Sequence, residues 1–172
     1  MRLVDFQIEA LCLAGMVKPF DPAMLNPCGL DVRLGNVLLI ESARSTDLVE
    51  YPLHVHSKED PYLFVPGQFA LAPTIEMFWL PDDVEAQFVL KSSRAREGLE
   101  HLMAGYCEPD WSGSVLTMEL KNQRQLHPVP IWPGMRVGQL KFDKLEVKPR
   151  RSYKEVGRYN GHTTAMQSLG EP

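Results

Sequence analysis

Apolar residues recur at helical spacing only near the start of the chain. Ile8, Leu11 and Cys12 fall on one face of a short helix that Asp5 can cap and Gly15 can end. From residue 30 onward, short apolar-rich segments are punctuated by Gly, Pro, Asn and Asp. They predict strands over 30–34, 37–41, 51–56, 62–65, 69–72, 75–80, 86–90, 114–120, 137–142 and 145–148. Many short strands, with fourteen prolines between and within loops, predict an all-β barrel or jelly roll. One helical interruption is predicted after Leu90, with Ser92 or Ser93 as N-cap, Arg96 and Glu100 as an i,i+4 pair and Gly98 as terminator. The outward N–H groups of such a turn are suited to an anion.

A chain of 172 residues is expected to form one domain, over residues 1–160, with a polar tail over 161–172 that is mobile unless a ligand or neighbouring subunit orders it. No apolar run reaches membrane-span length and no secretory signal is visible. Three widely separated cysteines argue for a reducing compartment, the cytoplasm by default. Charge is uneven: residues 1–135 carry 10 Lys/Arg against 18 Asp/Glu, whereas residues 136–158 carry 8 against 3. An acidic body with a basic C-terminal segment suits a small polyanion better than a long nucleic acid, or else forms a solvated charged tail.

Glu119 is the residue most suited to chemistry. Period-two alternation over 114–120 puts Leu116, Met118 and Leu120 on one face and Val115, Thr117 and Glu119 on the other. A carboxylate on a half-buried strand must be paired or used, and desolvation favours proton transfer; on a surface face it would only be solvated. Other polar residues invite plainer readings. His54 and His56 share a face of the 51–56 strand without a third metal ligand nearby, Asp82-Asp83 reads as a turn, and His101 and His127 have no identifiable partner. Trp79, Trp111 and Trp132 read as packing residues and the cysteines as small core residues.

Six segments, in order, resemble the dCTP deaminase branch of the dUTPase-like superfamily. They are Gly29–Asn36 (GLDVRLGN), Lys91–Leu99 (KSSRAREGL), Ala104–Gly113 (AGYCEPDWSG), Met118–Asn122 (MELKN), Trp132–Phe142 (WPGMRVGQLKF) and Ser152–His162 (SYKEVGRYNGH). The resemblance implies a dUTPase-like distorted barrel and hydrolytic removal of the cytosine amine without a catalytic metal. It assigns Glu119 to move protons between water, the ring nitrogen and departing ammonia, and Ser92 and Arg96 to position and polarise that water. Lys91, Ser93, Gln139, Tyr153, Arg158 and His162 become candidates for the triphosphate, and Ala104 and Glu108 for the rest of the nucleotide. Mg²⁺ is expected to ride on the substrate's phosphates. The zinc route is closed, because Pro27-Cys28-Gly29-Leu30 lacks the second cysteine of a Pro-Cys-x-x-Cys site.

The implied reaction is dCTP to dUTP and ammonia. Alternatives are dUTP diphosphatase, alone or combined with deamination as the Ala104-Gly105 pair implies, and a nucleotide-binding regulator without turnover. Departures from the family pattern are Lys91 for Arg, Glu108 for Asp, Arg94 and Glu97 for apolar residues, and His162 for Gln. The resemblance also implies a homotrimer with active sites between subunits, and no nucleic-acid polymer or membrane as partner.

Overall fold

The computed structural model describes residues 1–171. Helix α1 (Asp5–Leu13) begins one residue earlier than the expected cap: Val4 is the N-cap, its N–H donating to Gln7 Oε1 at 3.2 Å. Asp5 instead occupies the first helical position, and its carboxylate accepts the Phe6 N–H at 2.8 Å. Thirteen strands follow. The first five are β1 (Val17–Lys18), β2 (Leu25–Asn26), β3 (Gly29–Arg33), β4 (Leu38–Ser42) and β5 (Ser45–Tyr51). Next come β6 (Tyr62–Phe64), β7 (Phe69–Trp79), β8 (Val84–Leu90), helix α2 (Ser92–Arg96) and β9 (Leu99–His101). The chain continues with β10 (Tyr106–Cys107), β11 (Ser112–Asn122), β12 (Val129–Ile131), β13 (Arg136–Lys144) and helix α3 (Tyr153–Val156).

Two antiparallel sheets carry most of these strands. One runs β10-β8-β13-β3-β2, the other β5-β4-β7-β11-β9 with β1 on the far end of β7, and β12 pairs with β6 alone. The all-β expectation holds. A continuous apolar cluster joins the sheets, with Val32, Phe88 and Leu140 from the first and Ala72, Phe78 and Met118 from the second. A buried ion pair also bridges them: Arg33 of β3 donates its Nε to Glu76 of β7 at 2.6 Å and its backbone N–H at 2.9 Å. Among the described residues, no helix is long and apolar enough to cross a membrane.

Several expected elements differ. Residues 145–148 form bends, because Leu145 donates its N–H to Asp83 instead of continuing a ladder. The 51–56 segment is strand only at Tyr51, then turns through a 3₁₀ helix (Leu53–Val55), so His54 and His56 share no strand face. His56 is held by the Tyr51 hydroxyl at 2.8 Å. Lys91 is the N-cap of α2 and no side chain caps it, so neither Ser92 nor Ser93 plays that part. Glu100 lies in β9, and the charge pair on α2 is Arg94–Glu97 at 2.5 Å. The Arg94 guanidinium also lies over Trp132, 5.6 Å from the ring centre, which accommodates a charge where the family carries an apolar residue.

The expected strands 69–72 and 75–80 are one strand, joined through Pro73 and Thr74. Pro73 has no N–H to give its neighbour, and the β7–β11 register slips between Val115 and Thr117, with Thr117 opposite Pro73. Thr74 repairs the gap: its hydroxyl accepts the Leu116 N–H at 3.0 Å and donates to Glu76 C=O at 2.7 Å. The slip is a bulge, yet the alternation that β11's sequence predicts survives it: Leu116, Met118 and Leu120 are buried, and Thr117 and Glu119 are half-buried. Thr74→Val should therefore strand two buried backbone groups and lower stability by roughly 1–3 kcal/mol. Urea denaturation would measure it, with Thr74→Ser, which keeps the hydroxyl, losing markedly less.

Candidate active site

Beside the β11 bulge lies a cavity of about 550 Å³, within the range of small-molecule sites. Val115, Leu116, Thr117 and Glu119 of β11 line one wall, and Leu116 also packs into the core cluster with Met118 and Leu120. The segment before β11, from Ala104 through β10 to Trp111, contributes Ala104, Glu108 and Trp111, and the C-terminal segment contributes Tyr153, Tyr159, His162 and Met166. Most of this lining is apolar, with carboxylates at two places.

Glu119 is half-buried, with 25 % of its side chain exposed. Its Oε2 is shut off from solvent and lies 3.1 Å from His101 Nε2, which is itself buried. The approach is close without being aligned as a hydrogen bond, and neither atom has another partner. Such loose alignment is common where a catalytic contact tightens only with ligand present. His101 reaches this place because β9 pairs with β11, setting His101 opposite Leu120, the residue after Glu119. Its ring packs against Phe88, with centres 4.6 Å apart. Gly105 leaves room for that stack, since a Cβ there would come within 2.6 Å of Phe88 and 3.3 Å of the His101 ring. Gly138 does the same beneath Phe88, whose ring would sit 2.2 Å from an added Cβ.

The structure brings only part of the expected site together. Glu119, Ala104, Glu108, Tyr153 and His162 all line the cavity. Burial pushes the Tyr153 hydroxyl above its ordinary pKa, so it is a neutral donor near pH 7. Cys107 also lines the cavity, but burial pushes its thiol up to about 12, which leaves it unreactive. Ser92, Ser93 and Arg96 are exposed on α2 and do not line this chain's cavity. Nor do Lys91, Gln139 or Arg158.

Lys91 instead pairs with Asp31 at 2.6 Å, and Arg136 approaches the same carboxylate at 3.6 Å. Asp31 is 2 % exposed and also accepts from Asn26 Nδ2 at 2.8 Å. Gln139 stands opposite Asp31 in the β13–β3 register, next to this cluster. Arg158 reaches along the C-terminal segment to the carbonyls of Leu169 and Gly170. Residues 161–171, expected as a loose tail, run beside β11. Val115 donates its N–H to His162 C=O at 2.9 Å, Met166 donates to Thr117 Oγ1 at 3.2 Å, and Ala165 is buried. Among the described residues, no group of three His, Cys, Asp or Glu side chains is assembled that could hold a metal ion.

The dCTP deaminase-like family model matches residues 3–145. The chain belongs to the dCTP deaminase-like family. A relative from Clavibacter michiganensis subsp. michiganensis, named "dCTP deaminase, dUMP-forming", is 39 % identical over 94 % of this chain and 86 % of its own length. Another of the same name, from Streptomyces griseus subsp. griseus, is 38 % identical over 98 % of this chain and 96 % of its own. The crystal structure of 2'-deoxycytidine 5'-triphosphate deaminase from Agrobacterium tumefaciens superposes with a TM-score of 0.68 at 23 % identity. That match covers 82 % of this chain and about half (47 %) of the other, and it establishes the dUTPase-like fold alone.

The alternation of the 114–120 segment singled out Glu119 but left its buried neighbour His101 without a partner. The one signal for it is the short Leu99–His101 segment between Gly98 and Gly105, which is strand-like only once paired. Combining His101→Leu and Glu119→Leu in a double-mutant cycle should reveal a coupling of about 0.5–3 kcal/mol in unfolding free energy. Strict additivity would mean that the two side chains are neighbours without interaction.

Proposed function

We propose that the protein hydrolyses dCTP to dUMP, ammonia and pyrophosphate. The observation that carries this reading is Glu119, a half-buried carboxylate on the cavity wall backed by a buried imidazole. Glu119 takes a proton from water as its oxygen bonds to C4 of the cytosine ring. Protons then pass to N3 and to the amine, the C4–N bond breaks, and ammonia leaves. General-base positioning of this kind is worth about 10²–10⁴-fold in rate.

The motifs predict dUTP as the end product, whereas the relatives' names favour the alternative in which pyrophosphate is also removed. Glu108 supports that second step. Its carboxylate lies at the same cavity, where the resemblance places an aspartate that serves the phosphate-attacking water. A second water then bonds to the α-phosphorus as pyrophosphate departs. Mg²⁺ enters on the triphosphate oxygens in this reading, with no dedicated protein cage. Three free cysteines fit a cytoplasmic setting.

We further infer a homotrimer in which each site is shared. Ser92 and Arg96 are exposed and do not line their own chain's Glu119 cavity, and a cyclic assembly would bring the α2 turn of one protomer to the cavity of the next. The Lys91, Ser93 and Gln139 cluster then meets the triphosphate from that side, while Tyr153, Arg158 and His162 approach from the C-terminal segment.

Incubating pure protein with Mg²⁺ and dCTP, and following ammonia and pyrophosphate separately, tests the reading. Equal yields of both are expected. Ammonia alone would limit the activity to deamination, and nucleotide binding with neither product would make the protein a regulator. Glu119→Gln should reduce ammonia release by about 10²–10⁴-fold while nucleotide affinity stays within a few-fold of wild type. Sharing between protomers makes a further prediction. Co-refolding equal amounts of inactive Glu119→Gln and inactive Arg96→Ala chains should restore activity to about a quarter of the sites, the statistical fraction for a two-chain site. No recovery would place both residues in one protomer's site.

A further inference from the structure

Among the described residues, Asp110 is one of two non-glycine residues with a left-handed backbone, at φ 67°. It occupies the third position of a turn over Glu108–Trp111, closed by the Trp111 N–H donating to Glu108 C=O at 3.2 Å. With Pro109 second and a positive φ third, this has the character of a type II turn, whose third position glycine fills without strain. Asp tolerates that conformation better than most residues but not freely. An outlier of this kind invites a search for what the side chain does.

The Asp110 carboxylate accepts the hydroxyl of Ser152. Ser152 in turn caps α3, accepting the Lys154 N–H at 3.0 Å, so its one proton and one lone pair are both engaged. The next residue is Tyr153, a wall of the cavity, with its ring pressed against Gly157: a Cβ there would lie 2.2 Å away. At its other end the same segment is stitched to the start of β11. Trp111 Nε1 donates to Tyr159 C=O at 2.7 Å, Asn160 Oδ1 accepts the Ser112 N–H at 3.0 Å, and Gly161 N–H reaches Ser112 C=O.

Resting on the reading above, we propose that Asp110 is a positioning residue for nucleotide binding. Its bond to Ser152 latches the 152–162 segment to the Glu108–Trp111 turn before ligand arrives, so that Tyr153, Tyr159 and His162 already face the cavity. The latch acts through Ser152 and touches no reacting atom. It also fixes the turn that carries Glu108, linking the two halves of the wall through one carboxylate.

Asp110→Gly tests this cleanly, because it removes the latch while easing the backbone and leaving the Ser152 cap intact. Hydrogen–deuterium exchange on the ligand-free variant should show faster exchange across residues 153–161 with the melting temperature unchanged or higher. In turnover, KM for dCTP should rise roughly three- to tenfold with kcat nearly constant, about the factor that one charge-assisted hydrogen bond supplies. Asp110→Asn, which retains an oxygen acceptor and a residue type tolerant of this φ, should stay close to wild type in both measurements. Wild-type exchange in Asp110→Gly would overturn the latch, as would a fall in melting temperature accompanied by equal losses in kcat and KM. If the wild-type protein releases no ammonia, the proposed function fails. The exchange measurement and a dCTP titration still decide the latch on their own.

Discussion

A carboxylate on an apolar strand needs a partner or water, and Glu119 has a little of each. Its inner oxygen meets only the His101 imidazole, while the rest of the side chain borders the cavity. That arrangement makes demands well beyond the pair. His101 is held by Phe88, Phe88 fits because Gly138 lacks a side chain, and the stack closes because Gly105 lacks one too. Phe88 and Gly138 belong to one sheet, Glu119 and His101 to the other. The position of a single carboxyl group therefore depends on how the two sheets pack, and core substitutions remote from the cavity should reach it through this stack.

The opposite end of the cavity wall obeys a different constraint. Pro73 interrupts the ladder between β7 and β11, and Thr74 supplies the missing bonds from its side chain. Past this join the strand still alternates, with Leu116, Met118 and Leu120 in the core and Thr117 and Glu119 half-buried at the cavity. Val115 and Leu116 give the cavity an apolar floor, with Glu119 at its edge. The C-terminal segment then uses the same strand, tying His162 to Val115 and Met166 to Thr117. The strand thus serves both the floor of the cavity and the docking of its cover.

Much of this was legible in the amino-acid order, and what was not has local physical reasons. The all-β architecture, the α2 interruption and Glu119 follow from short apolar segments, turn residues and one carboxylate on an alternating strand. The expected face of Leu116, Met118 and Leu120 is the buried one, whereas the register slip opposite Pro73, over forty residues earlier, left no mark on the alternation of β11. His101 had no partner in sequence because its partner arrives through strand pairing eighteen residues away. The strand expected over 145–148 fails because its backbone turns to Asp83, and the contacts of Gly161, His162 and Met166 with β11 had no signal in the polarity of the tail. Lys91 was read as free for phosphate, yet Asp31 lies 2.6 Å away and is buried.

The Lys91–Asp31 pair bears on how a triphosphate is held in the proposed reading. Asp31 is too deeply buried to lose its cationic neighbours cheaply, since an unpaired buried carboxylate is strongly destabilising. Lys91 must therefore serve the phosphates without leaving Asp31. An ammonium with three N–H donors can do so, giving one to the carboxylate and turning the others outward. Arg136, 3.6 Å from the same oxygen and half exposed, keeps that carboxylate partly compensated while Lys91 is shared. An arginine at position 91 would bind phosphate through a planar fork, but that fork would also engage Asp31 in a fixed plane. Lysine's compact, rotatable charge is better matched to a ligand that comes and goes beside a permanent buried anion. In the proposed reading, lysine at position 91 thus suits the cluster around Asp31.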